Sequence, residues 1–245
     1  MRSKLFGMIL SLLFITSFGV CQAFGAEFSV TVKNLTNGTW FTQLLITTHD
    51  RHTDLFETGE TATKALQAMA EGGDLSGLLI YLDGQGADSV AKPADGLLAP
   101  GESVDDVFFD TGRSRNKYLS IVAMLLPTND GFVGLDSLRI PRFPGTYIYY
   151  LNGYDAGTES NDELITGGGA PGVPGIPADP GGNAGTGGTG AIDIDANTNT
   201  NVHIHPSVVG DTDPGGGISD LDSAIHRWQN PVAEVIIEVH NRRRR

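Results

Sequence analysis

The 245-residue chain has a single cysteine, Cys21, and it lies in an N-terminal stretch that the sequence marks for removal. Arg2 and Lys4 form a positive start, Leu5 to Val20 is a nearly unbroken apolar run, and small residues follow at Ala23, Gly25 and Ala26. This order predicts a secretory signal over residues 1–26, cleaved before Glu27. The run of 16 residues is short for a spanning helix, which needs roughly 20, and no second such run follows. The mature chain is therefore expected to have neither a membrane span nor a disulfide. An exported protein without disulfides often takes a metal ion as its cross-link.

Basic charge is also scarce. Sixteen Lys and Arg stand against 29 Asp and Glu, giving a formal net charge of −13, and loss of Arg2 and Lys4 takes it to −15. Such a surface excludes a nucleic-acid binder, which needs a basic face to neutralise phosphates. The one basic run, Arg242–Arg245, reads as a solvated tail, with a contact to anionic envelope lipid or polysaccharide as its alternative.

Catalytic signatures are missing too: no G-x-S-x-G, no H-E-x-x-H, no P-loop and no cysteine nucleophile in the mature chain. The EF-hand loop pattern is absent as well. His203 and His205 stand at i and i+2 on a short strand and point the same way, as in some zinc or copper sites. Without a third soft ligand, they read instead as packing on a sheet face or bonding backbone near Pro206.

What is present is β structure. Strands are expected at Glu27–Thr36, Trp40–Thr48, Leu78–Leu82, Ser103–Asp110, Tyr118–Leu126, Thr146–Leu151, Ala191–Ala196, Asn201–His205 and Val232–Val239. Tyr118–Leu126 (YLSIVAMLL) is the most apolar and belongs at the centre of the core. Thr61–Gly72 is the one expected helix, ended by Gly72-Gly73. The count predicts an all-β fold: an antiparallel β-sandwich with one short helix, a single domain over residues 27–241. Thr166–Gly190, rich in Gly and Pro and poor in apolar side chains, reads as a mobile surface loop.

Acidic residues gather where strands should end: Asp130 and Asp136 after Tyr118–Leu126, then Asp155, Glu159, Asp162 and Glu163 after Thr146–Leu151. Carboxylates brought together repel unless protonated or neutralised, and Ca²⁺ accepts six to eight oxygens. Gly157 permits the tight turn that would fold Asp155 and Glu159 toward one point.

The wording of these segments resembles the spondin N-terminal domain family in its bacterial form. Thr128–Leu138 reads TNDGFVGLDSL, Tyr154–Glu159 reads YDAGTE, and Trp228–Ala233 (WQNPVA) is similar to the family's final strand. Thr31–Trp40 and Ala65–Gly73 look like the bacterial branch, so the resemblance spans most of Phe28–Val239. It implies a C2-like β-sandwich and a calcium site carrying Asp130, Asp155 and Glu159, with Glu in place of the family's second Asp. Asp110 is the nearest match to a further acid, one residue out of step. Animal members carry cysteines and a shorter connection where this chain has its Gly/Pro stretch, so no particular partner transfers. The expectation is a secreted, non-enzymatic Ca²⁺-binding adhesion or recognition module with an extracellular or envelope ligand, protein or glycan. Its rivals are a hydrolase using the same carboxylates and a purely structural envelope protein.

Overall fold

The computed structural model describes residues 26–91, 96–112, 114–182, 184–191 and 199–241. Most of the expected signal segment, residues 192–196 of an expected strand, and Arg242–Arg245 lie outside them. Among the described residues no helix is long and apolar enough to cross a membrane.

The described residues form ten strands and two helices in the order β1 (Glu27–Asn34), β2 (Trp40–Phe41), β3 (Leu45–His49), α1 (Lys64–Gly72), α2 (Ser76–Gln85), β4 (Asp88–Ala91), β5 (Ser103–Asp110), β6 (Tyr118–Leu126), β7 (Gly131–Arg139), β8 (Gly145–Asp155), β9 (His203–Ile204) and β10 (Ala233–Val239). All named pairs are antiparallel, along the path β4-β3-β6-β7-β8-β10-β1-β5. The path folds over at β8. Its first seven residues pair with β10, from Gly145↔Val239 to Leu151↔Ala233. Its last four pair with β7, from Asn152↔Gly134 to Asp155↔Gly131. One long strand thus serves both layers of an all-β sandwich.

Side-chain alternation explains the layers. Phe28, Val30 and Val32 of β1 with Val235 and Ile237 of β10 face Leu119, Ile121, Ala123 and Leu125 of β6 across the inner core. The other face of β6 offers Val122, Met124 and Leu126 to Leu66, Met69, Leu78 and Leu82 of the helices. β6 is covered on both sides, so its sequence is continuously apolar rather than alternating.

Two expectations need correcting. Leu78–Leu82 is not a strand but lies in α2, so the described residues hold two short helices where one was expected. Leu78 and Leu82 are buried one turn apart while Ile80 is 76% exposed, a helical spacing hidden inside an apolar run. The segment from Gly131 to Arg139, where the sequence pattern predicts no strand, is the full strand β7. Helix α1 starts as its sequence suggests: the Thr63 hydroxyl accepts from Leu66 N at 3.1 Å, and Gly73 at φ +69° closes it, donating to Met69 O.

The Gly/Pro stretch is fastened rather than free of the body. Gly172 N donates to Glu71 Oε2 at 2.6 Å, Gly175 N to Glu159 Oε2 at 3.3 Å, and Ile176 is fully buried against Val208 and Leu221. β10, which follows this stretch in the chain, lies between β8 and β1 in the same sheet.

Candidate metal centre

Asp130 ends the β6–β7 turn, and Asp155 ends β8 directly opposite Gly131, so strand register makes them neighbours. Ala156 N donates to Asp130 O at 3.2 Å. The next turn wraps back over the first: Thr158 N and Glu159 N donate to Asp130 Oδ2 at 2.7 and 3.0 Å. Gly157 allows this, at φ +69°, with its N–H on Asp155 Oδ1 at 2.8 Å; a Cβ there would stand 2.6 Å from the Thr200 backbone.

All three acids are inside the protein: Asp130 is 0%, Asp155 1% and Glu159 8% exposed. Asp155 Oδ2 accepts from Asn161 Nδ2 at 2.7 Å and lies 3.7 Å from His203 Nε2. Asn129 Nδ2 reaches Glu159 Oε2 at 3.4 Å and Asp162 Oδ1 at 2.8 Å. Asp130 Oδ1, by contrast, is buried with no hydrogen-bond partner among the described residues. Burial pushes the Asp130 carboxyl up to about 7, the Asp155 charge adds to it, and the bonds from Glu159 and Thr158 oppose it. Burial likewise raises Glu159 to about 7, with the charges of Glu71 and Asp130 adding.

Glu71 is the member that sequence reasoning missed. It is fully buried in the last turn of α1, where Gln67 Nε2 donates to its Oε1 at 2.8 Å. An acid at a helix end looks like ordinary surface, but here the Gly/Pro stretch docks on it, with Gly172 N donating to its Oε2. Asp110 does not join the cluster. It is exposed at the end of β5, paired with Glu27, beside the end of the sheet where β8 begins rather than where it finishes. Its Oδ1 accepts from Gly112 N at 2.8 Å. Asp136 sits midway along β7, where its Oδ1 accepts from Leu55 N and the Ser120 hydroxyl. Glu163 turns away from the cluster to hold Gly210 N at 2.8 Å and the Ser219 hydroxyl at 2.6 Å.

The histidines pack and bond backbone. His205 Nδ1 accepts from Ser207 N at 3.0 Å, its ring lies 5.0 Å from that of Trp228, and burial pushes its pKa down to about 4. Among the described residues no three His, Cys, Asp or Glu side chains are placed, as they stand, to hold a metal ion.

A search of curated proteins finds no match. The model of the spondin N-terminal domain (Spondin_N) matches residues 26–165, more than half of the chain, including all three acids and stopping short of β9 and β10. The chain belongs to the spondin N-terminal domain family.

Proposed function

We propose that the protein is an extracellular recognition module whose loops at the β6–β7 and β8 ends are set by one Ca²⁺. The family supports an extracellular, non-catalytic module, and the observation that carries the ion is Asp130 Oδ1, a buried carboxylate oxygen with no hydrogen-bond partner. A buried, unpaired anionic oxygen costs several kcal/mol unless protonated or met by a cation. Two carboxyls raised to about 7 carry the same message, since a divalent ion would relieve the repulsion that burial strengthens.

The donor set is all hard oxygen, which suits Ca²⁺ and not zinc or copper. Asp130, Asp155 and Glu159 would hold the ion once their side chains turn toward a common point, since no three such groups converge as they stand among the described residues. The Asp155 oxygens that accept hydrogen bonds still have lone pairs to give. Three carboxylates do not complete the shell, so carbonyl, amide and water oxygens would supply the rest. The bound ion would add positive charge at one point and tie the β6–β7 turn to the turn after β8. Against a hydrolase, Asp130 is fully enclosed, and a catalytic acid must reach its polymer.

The test is thermal unfolding in chelator and in saturating Ca²⁺. A ligand that binds only the folded state raises Tm, and 100-fold over Kd contributes about 2.7 kcal/mol. Asp130→Asn should abolish the Ca²⁺-dependent rise while remaining folded in chelator, because Asn keeps the oxygen that accepts from Thr158 and Glu159. An unchanged Tm at saturating Ca²⁺ would sink the reading.

A further inference from the structure

In a chain with nearly twice as many acids as bases, five of the eight Lys and Arg among the described residues line one cleft. Arg51, Arg115, Lys117, Arg139 and Arg142, with His52 and Tyr118, surround a space of about 410 Å³. The fold assembles them. β3 ends at His49, β6 begins at Tyr118 and β7 ends at Arg139, and these three residues are register partners in adjacent strands. Lys117 N donates to His49 O and Ile140 N to Lys117 O, which holds the flanking segments at the same sheet end.

One carboxylate stands against five basic side chains in the cleft. It is that of Asp50, and its Oδ1 accepts from His52 N at 2.8 Å and the Thr53 hydroxyl at 3.2 Å. Among the described residues no salt bridge neutralises Arg51, Arg115, Arg139 or Arg142. All four guanidiniums are exposed, while Lys117 and Tyr118 are half-buried. A concave site of this size falls within the range of small-ligand pockets, about 300–1,000 Å³. Guanidinium groups meet tetrahedral oxyanions through paired N–H bonds, which a single ammonium does not.

We infer that this cleft binds sulfate or phosphate groups carried on a small polyanionic ligand such as a substituted sugar. The site is independent of the calcium reading. It lies at the start of β6, whereas Asp130 follows the end of that strand, roughly 26 Å of extended chain away. The strong net negative charge around it would repel a long polyanion such as duplex DNA, while a compact ligand need meet only the local positive field.

Calorimetry on the mature protein at low ionic strength tests this, using a sulfated disaccharide, a sugar phosphate, inorganic sulfate, inorganic phosphate and an uncharged disaccharide. Wild type should bind the charged sugars more tightly than the free ions and should ignore the uncharged one. Whether sulfate or phosphate is preferred identifies the carrier. Arg139→Glu combined with Arg142→Glu should weaken binding by about tenfold or more. Lys33→Glu combined with Lys64→Glu makes the same change in net charge on exposed residues outside the cleft and should leave binding unchanged. The inference fails if no charged probe binds, if the uncharged disaccharide binds equally, if the control pair loses as much as the arginine pair, or if duplex DNA outcompetes the sugars.

Discussion

Asp220 takes four backbone N–H groups on its two oxygens: Thr186, Gly187 and Gly188 on Oδ1 at 2.8–2.9 Å, and Ile165 on Oδ2 at 2.8 Å. Two distant loop segments meet on one carboxylate, where few apolar side chains are available to hold them. Burial works to raise its pKa, but the backbone bonds win and hold it below the usual 3.8. A depressed carboxylate pKa contributes stability that is present above 3.8 and is lost as pH falls through the folded value. Asp220→Ala should therefore cost about 2–4 kcal/mol in urea unfolding at pH 7, and this difference from wild type should shrink below pH 3.8. A difference that stays constant with pH would mean that the carboxylate charge is not the fastener. The same scale shows what the sequence could reveal of the candidate site. Asp130, Asp155 and Glu159 lie in short turns of recognisable wording, whereas Asp110 depended on a spacing one residue out of step and the fold leaves it elsewhere. Glu71 carried no local sign, because its burial is produced by a segment about 100 residues further along the chain.

Elements were legible where one rule governed the whole segment. β5 and β6 occupy the expected spans, Ser103–Asp110 and Tyr118–Leu126, because one buries Val104, Val107 and Phe109 with a single break in its alternation at Asp105-Asp106 and the other is almost wholly apolar. β7 was not legible because its surroundings change along its length. Gly131–Gly134 is buried between β6 and β8, while Leu135–Arg139 is bonded to β6 and half open. Its glycines have packing reasons that a propensity scale does not see: a Cβ at Gly134 would stand 2.6 Å from the Phe56 ring. Helix α2 escaped because its buried pair, Leu78 and Leu82, is masked by exposed Ile80 and Tyr81 between them. If α2 is a packed layer over β6 and not an appendage, Leu82→Ala should lower stability by about 2–5 kcal/mol, while Ile80→Ala should change it by under about 0.5 kcal/mol. Equal small losses for both would show that α2 contributes little to the core.

At the scale of the whole molecule, charge is sorted along β6: buried carboxylates past its C-terminal end, a basic cleft at its N-terminal end. The rest of the surface is strongly acidic, and the formal net charge of −13 makes the compact state repel itself. Salt should therefore act with opposite signs on the acidic surface and on the basic cleft. In chelator, raising ionic strength from well below to above about 0.15 M screens the acidic surface and should raise Tm by a few degrees, on a scale of roughly 2–4 °C per kcal/mol for a domain of this size. The same change should weaken binding of a sulfated or phosphorylated sugar at the exposed arginines. The Ca²⁺-dependent rise in Tm should persist in high salt, since an ion held by buried carboxylates is shielded from the screening that surface charges feel. Differential scanning calorimetry across a salt series, with and without Ca²⁺ and with and without the charged sugar, separates the three contributions. If salt abolished the Ca²⁺-dependent rise together with sugar binding, calcium would be acting as a diffuse counterion, and the enclosed oxygens of Asp130 would have to be satisfied by protons instead.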